Sequence, residues 1–360
     1  MKEIFWKNLS KRLQRLKASQ GVSVFSISTT MKQENSSYFT PVRSSRNFTI
    51  TGCIIFDERI LSRILSTIDG VVDIILVDSE KKIPIKTFGT SEKRESTDPT
   101  IGYVETGSIS KIAFQEVSKS KVYEFKPNDI TVDAAWMFIS HKFKYLSGRK
   151  ICILGAGNIG SKLALRLVEC GAEVHIYRRD SYKGFEIAHG LNLIKPDSVI
   201  ANVQYHTNIL HASFMADVVI GATNGFQIID TCVIESVKKN CLIVELGKNN
   251  ITRDALDLIR DNSLEIYRTD ITPAIESYIY QVLRTQKIIE NSYGRRQLEF
   301  CSISGGGYYA LEGDIVVDQI EKPKEIFGIA DGMGSLKKHL TESEESVIEK
   351  VRSQFNIEST

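Results

Sequence analysis

Apolar positions along this chain fall into two rhythms that take turns. Short apolar runs predict buried strands, and stretches with apolar residues every three or four positions predict helices. The N-terminus, MKEIFWKNLSKRLQRLKASQG, places Phe5, Leu9, Leu13 and Leu16 at helical spacing with Lys7, Lys11, Arg12 and Arg15 between them, an amphipathic helix. A basic helix of this kind suits a targeting presequence, a membrane surface, or packing on its own domain or a second protomer. Glu3 and the lack of a cleavage-like stretch favour packing. Residues 31–47 are polar and predict a loop. FTITGCIIFD (48–57) and VVDIILVDSE (71–80) predict strands, and Glu58 to Ile68 predicts a helix ended by Gly70. Lys81 to Thr100 is a charged excursion. GSISKIAFQEVSKS and KVYEFKPND follow, then a helix, ITVDAAWMFISHKFKYL, with Asp129 or Thr131 as its N-cap.

The second half repeats the alternation more regularly. Ile151 to Leu154 and Val174 to Tyr177 predict strands around a helix with Leu163, Leu165, Leu167 and Val168 on one face, ended by Gly171. Strands at 202–207, 216–225, 241–247 and 263–270 alternate with helices at 208–215, 230–238 and 254–261, which implies a parallel sheet with helices on both faces. A long helix runs from Ile271 to about Glu290. The tail from Cys301 to Gly334 is rich in glycine and short apolar runs, and is too apolar to stay disordered. It is expected to pack back over the domain interface, closed by a helix from Leu336 to about Phe355.

Chemistry concentrates in KICILGAGNIGSKLALRLVECGAEVHIYRRD (150–180). Gly155, Gly157 and Gly160 have the G-x-G-x-x-G spacing between a strand and a helix. The first glycine permits a tight turn, the second lets a pyrophosphate approach the backbone, and the third lets helix and strand pack closely. Ala156, Asn158 and Ile159 complete that dinucleotide cradle. At the end of the second strand, where NAD-binding proteins place a carboxylate on the adenosine ribose, stand Arg178 and Arg179. Guanidinium groups pair with a 2′-phosphate, so NADP(H) is the expected cofactor. Asp180 keeps NAD(H) as the alternative. Ligands on such sheets lie outside the carboxyl ends of the strands, which brings GATNG (221–225), ELGKNN (245–250) and YRTD (267–270) to the nicotinamide end. Thr223 and Asn224 are candidates for cofactor ribose or amide contacts, and Lys248 for the nicotinamide side or a substrate carboxylate. Lys111, if desolvated in a cleft, and Asp133, one turn into its helix, are the remaining proton-transfer candidates. Asp270 and Glu276 read as a cap and a first-turn acid.

The fold class expected is therefore α/β. Residues 1–47 form an amphipathic helix and loop, and 48–145 an N-terminal α/β substrate domain with its connecting helix. Residues 146–270 form a doubly wound Rossmann domain, and 271–360 a C-terminal helix and glycine-rich closing segment. A net charge of +2 argues against nucleic-acid binding. The six cysteines form no C-x-x-C pair and the six histidines no paired ligand spacing, so no metal site is expected and a reducing cytoplasm fits. No apolar run is long enough to span a membrane. Gly305 to Gly307 is no phosphate loop, since no G-K-[ST] follows.

GAGNIG, the Arg178–Arg179 pair, GATNG and PNDITVDAAW (127–136) together resemble the amino-acid-dehydrogenase-like two-domain superfamily over roughly residues 48–290. That superfamily includes shikimate dehydrogenases, methylene-tetrahydrofolate dehydrogenases and glutamyl-tRNA reductases. ELGKNNI (245–251) is also similar to the strand-end turn of adenosylhomocysteinase-like and formate-dehydrogenase-like proteins. No single family matches: of the shikimate dehydrogenase signature only Lys111 and Asp129 or Asp133 can be mapped, and loosely. The resemblance implies an NADP(H)-dependent oxidoreductase working on a small amino acid, imine or hydroxy-acid in a cleft between two domains. A lyase or cyclase recycling a bound nucleotide, and a nucleotide-binding sensor, are the alternatives. A homodimer through the N-terminal helix is also expected.

Overall fold

The computed structural model describes residues 2–29, 37–56, 60–80, 109–291, 293–305 and 307–358. The chain divides into two compact units, Met1–Glu276 and Ser277–Thr360.

The first unit opens with α1 (Lys2–Lys17), followed by β1 (Val22–Thr29), β2 (Tyr38–Phe39), β3 (Arg43–Ser44), β4 (Phe48–Ile55), α2 (Leu61–Ile68), β5 (Ile74–Asp78), α3 (Ile109–Glu116) and β6 (Lys121–Phe125). These strands form a sheet in the order β2-β4-β1-β5-β6, with β3 also on β4. β1 runs parallel to β4 and β5, and β2 and β3 run antiparallel to β4. The segment read as helix and loop thus carries the central strand of this sheet. Serines at 23, 26 and 28 break the apolar run of β1 and hide it from pattern reading. Ser26 is buried because it lies under Gly52, where a Cβ would stand 2.0 Å from its Oγ. The charged stretch Lys81 to Thr100 lies outside the described residues.

The apolar stripe of α1 is consumed inside this domain. Leu9, Leu13 and Leu16 are buried with Phe25, Ile27, Cys53 and Ile55, as are α2 residues Leu61, Ile64, Leu65 and Ile68. Arg12 is no solvated base: it donates to the Thr40 carbonyl (2.6 Å) and to Thr51 Oγ1 (2.7 Å). The apolar face of α1 thus covers the first sheet.

α4 (Pro127–Lys142) leads to the second sheet, built from β7 (Lys150–Leu154), α5 (Asn158–Glu169), β8 (Glu173–Tyr177), α6 (Ser181–Ile194), β9 (Val203–His206), α7 (Ile209–Ser213), β10 (Val218–Gly221), α8 (Thr231–Ser236), β11 (Leu242–Glu245), α9 (Arg253–Asp261) and β12 (Glu265–Arg268). The order β12-β11-β10-β7-β8-β9 is parallel throughout, with its topological switch between β7 and β10. One face carries α4, α5 and α6, with Val132, Ala135, Ile139, Leu163, Leu167 and Leu191 in its core. The other carries α7, α8 and α9 over Cys152, Val219 and Ile243. This doubly wound sheet is the expected Rossmann type. α6 is not among the elements that the apolar pattern predicts, since its glycines and exposed aromatics blur the helical spacing. The N-cap of α4 is Lys126 with Pro127 following, rather than Asp129 or Thr131. α10 (Thr272–Asn291) closes this run of elements.

The second unit is more than a covering tail. β13 (Gly294–Gln297), β14 (Ser302–Gly305), β15 (Ile315–Val317) and β16 (Ile326–Ile329) form their own sheet, joined by α11 (Glu342–Phe355). Ile303, Ile315, Val317 and Ile329 pack on Ile348 and Val351 of that helix. Buried Asp314 holds the unit's hairpins together: it accepts from Arg295 Nε (2.9 Å), Ser304 Oγ (2.7 Å) and the Leu311 amide (3.1 Å). A capping box of Thr341 and Glu344 starts α11.

Candidate functional site

The glycine turn sits at the carboxyl end of β7, beside the end of β10. Its three glycines differ in what the fold asks of them. Gly155 has φ +114°, and a Cβ there would lie 2.7 Å from the Ala222 backbone. At Gly160 a Cβ would lie 2.2 Å from the Gly155 carbonyl oxygen, so only glycine lets α5 start this close to β7. At Gly157 an added Cβ meets nothing within 4 Å. The fold itself makes no steric demand for glycine at that position, which is where an approaching ligand would make one.

Gly157 is also the N-cap of α5, and no side chain caps the helix. The first amides of a helix lack intrahelical partners and carry the positive end of its dipole. Leaving them uncapped beside open space prepares an anion-binding surface. Asn158 is exposed on this rim and accepts from Asn128 Nδ2 (3.2 Å) at the start of α4. The two helices run side by side in the same direction from there, through ion pairs Asp129–Lys162 and Asp133–Arg166. Asp133 thus faces α5 and is tied to Arg166.

The end of β8 separates the three charged residues in sequence order. Arg178 is half-buried and donates from one terminal nitrogen to the Ala156 carbonyl (2.6 Å), which ties it to the glycine turn. Its Nε is buried with no protein acceptor. Arg179 is exposed, its guanidinium 5.4 Å from the centre of the Phe226 ring. Asp180 is the N-cap of α6, accepting from the Lys183 amide (3.1 Å). That hydrogen bond comes first among the causes holding its carboxyl below the usual range.

Across the switch point, a polar network binds β10, β11 and β12 together. Glu245, 6 % exposed, accepts from the Asn250 amide (2.9 Å) and from Arg268 Nη2 (2.7 Å). Asn250, fully buried, accepts from the Thr223 amide (2.8 Å) and hydroxyl (2.6 Å). Thr223 has a single hydroxyl hydrogen, and both of its acceptors, Asn250 Oδ1 and the Phe226 carbonyl, lie inside the loop. Thr223 therefore shapes the loop, while Asn224 is exposed at its tip. A carboxylate closing an apolar strand, followed by Asn-Asn, was the available sequence signal. Glu245→Ala leaves the buried Asn250 amide without an acceptor, and is expected to cost about 2 kcal/mol in urea unfolding. Glu245→Gln, which keeps that acceptor, is expected to recover most of it.

Lys248, in the loop after β11, places its Nζ 5.4 Å from the Tyr38 ring centre on β2. The strand-end loop of the second sheet thereby meets the edge of the first. Arg43 on β3 makes a second such link, donating to Thr272 Oγ1 (2.8 Å), whose neighbour Asp270 caps the start of α10. Lys111 is exposed on the first turn of α3, which packs on α2, β5 and β6.

Histidine enters the fold elsewhere. His175 Nδ1 and His206 Nε2 lie 2.7 Å apart in a stacked pair on β8 and β9. Burial, then Lys150 and His206, push His175 down from 6.5 to about 4. The unfolded chain therefore binds the proton more tightly. The contribution of His175 is complete above about pH 6.5 and is lost as pH falls towards 4. Urea unfolding compared at about pH 7.5 and about pH 4.5 should show this loss, and His175→Phe should flatten it. Among the described residues no group of side chains could hold a metal ion, and no helix is long and apolar enough to cross a membrane.

The family described as NADP oxidoreductase, coenzyme F420-dependent, matches residues 150–246. No curated protein matches the chain in sequence. Among solved structures, a dipicolinate synthase chain from Bacillus halodurans is 14% identical, covering 71% of this chain and 92% of its own length, at TM-score 0.35. L-tryptophan dehydrogenase from Nostoc punctiforme is 14% identical over 69% of this chain and 70% of its own, at 0.38. Ornithine carbamoyltransferase from Pyrococcus furiosus is 12% identical over 73% and 87%, at 0.41. These likenesses are too distant to carry an inference about activity. The family match runs from the start of β7 to just past the end of β11.

Proposed function

We propose that this chain is an NADP(H)-dependent oxidoreductase acting on a small polar metabolite of the amino acid, imine or hydroxy-acid type. The observation that carries the reading is the contrast between Gly160, required by the fold, and Gly157, which borders open space at an uncapped helix start. A pyrophosphate on the amides of Asn158, Ile159 and Gly160 would use both features. Arg178 and Arg179 would take the ribose 2′-phosphate, since Asp180 is engaged in capping α6. Asn224 would reach the nicotinamide ribose or amide. Lys248 is the best-placed proton-transfer or carboxylate-binding residue, because it lies at a strand end and meets Tyr38 of the first sheet. When bound, the cofactor supplies or accepts hydride, and the protein orients it and excludes water.

A substrate panel of 2-oxo acids with ammonia, imines and 2-hydroxy acids tests this reading through the absorbance of the reduced nicotinamide. Turnover with one class, reduced by Lys248→Ala, supports it. Tight nucleotide binding with turnover that leaves the nucleotide's redox state unchanged would instead favour a recycling lyase.

A further inference from the structure

The two arginines at the end of β8 are held by different means. Arg178 donates to the Ala156 carbonyl (2.6 Å). Among the described residues Arg179 has neither an ion pair nor a hydrogen bond, and its guanidinium lies over the Phe226 ring, 5.4 Å from the centroid. Elsewhere around this sheet arginines are held by acids, Arg166 by Asp133 and Arg268 by Glu245. A carboxylate neutralises the guanidinium charge and takes up its N–H donors. An aromatic ring takes only the flat face, so the charge and the in-plane N–H groups stay free.

The contact spans the crevice at the switch point. β8 and β10 flank β7 in the sheet, so Arg179 after β8 and Phe226 after β10 meet across the end of β7, where the glycine turn lies. Phe226 is 61 % exposed, yet the chain on both sides of it is fixed. Its carbonyl accepts from Thr223 Oγ1 (2.7 Å), and Gly225 before it turns the chain at φ +89°. After it, the amides of Ile228 and Ile229 donate to the Asn250 carbonyl (2.8 and 2.9 Å). Asn250 is fully buried and donates its own amide to buried Glu245. The buried network of β11 therefore ends at the ring that meets Arg179. The ring is the fixed member of the pair, and the long arginine side chain is the mobile one.

We infer, on the NADP(H) reading proposed above, that Phe226 is a positioning residue for cofactor choice: its ring holds Arg179 across the crevice with the guanidinium edge free for the ribose 2′-phosphate. An exposed arginine loses rotamer freedom when it binds, and one already resting on a ring loses less. NAD(H) has no 2′-phosphate for Arg179 to meet, so the ring acts on the preference between the two nucleotides. An exposed contact between a cation and a ring is worth about 2- to 5-fold in affinity.

Calorimetric titration of the full chain with NADPH and with NADH reads the ratio of the two dissociation constants. Wild type is expected to favour NADPH. Phe226→Leu keeps an apolar side chain but removes the aromatic face, and is expected to lower that preference about 2- to 5-fold. Phe226→Tyr, which keeps the face, is expected to retain it. In an Arg179→Ala background Phe226→Leu should change the ratio no further, since the side chain it positions is gone. An undiminished preference in Phe226→Leu, or an equal fall with and without Arg179, overturns the assignment while the nucleotide site stands. A fall in Phe226→Tyr as large as that in Phe226→Leu does the same, because the aromatic face is then not what matters. A wild type that binds neither nucleotide, or both equally, removes the NADP(H) reading and this assignment with it.

Discussion

Gly157→Ala is expected to abolish dinucleotide binding, by at least about 100-fold in affinity, while changing folding stability by less than about 1 kcal/mol. The backbone there is extended (φ −94°), so alanine fits without strain. Its Cβ would meet none of the described residues within 4 Å. The small loss of N-cap preference is offset by the reduced freedom of the unfolded chain. The methyl group would stand, however, where the proposed pyrophosphate meets the first amides of α5. Gly160→Ala should behave in the opposite manner. Its Cβ would stand 2.2 Å from the Gly155 oxygen and 3.3 Å from Ile153 Cγ2, so α5 must move away from β7, at a cost of about 3 kcal/mol. Thermal melting and calorimetric titration of both variants separate the two glycines. If Gly157→Ala binds nucleotide as tightly as wild type, the open space at that position has nothing to do with a ligand.

The second large effect is expected at Arg178. Arg178→Ala should weaken NADPH binding by about 10- to 100-fold, the worth of a charge-assisted hydrogen bond to a phosphate, and leave NADH binding nearly unchanged. The side chain is already oriented by the Ala156 carbonyl, so little ordering is required on binding. Arg179→Ala should give a smaller loss of the same kind, since that side chain is exposed. Asp180→Asn should affect neither nucleotide, because asparagine caps a helix as well as aspartate does. Equal losses for NADPH and NADH in Arg178→Ala would return Arg178 to a purely structural role.

Much of the second sheet could be read from the residues because parallel strands buried on both faces are written as unbroken apolar runs, VVIG and LIVE among them. The glycine spacing then located the turn, since Gly155 and Gly160 answer to local steric demands. β1 escaped because its serines are buried through long-range pairing, Ser26 under Gly52, which no local pattern reveals. Asp133 looked like a cleft residue from its place in the first turns of α4. Its partner Arg166 lies on a neighbouring helix whose direction only the fold supplies. The Glu245–Asn250–Thr223 network was hidden for the same reason, as its members come from the ends of different strands.

The organisation of charge around the turn follows one logic. The two residues before the α6 cap are cations at the end of β8, and the residue that could have mimicked an NAD-type carboxylate is spent on that cap.

Calorimetric titration of the purified full chain with NADPH, beside Gly157→Ala under the same conditions, tests the nucleotide site most directly. A single site per chain in wild type, lost in a variant that melts at the same temperature, is the expected result. A folded wild type that takes up neither NADPH nor NADH would contradict it.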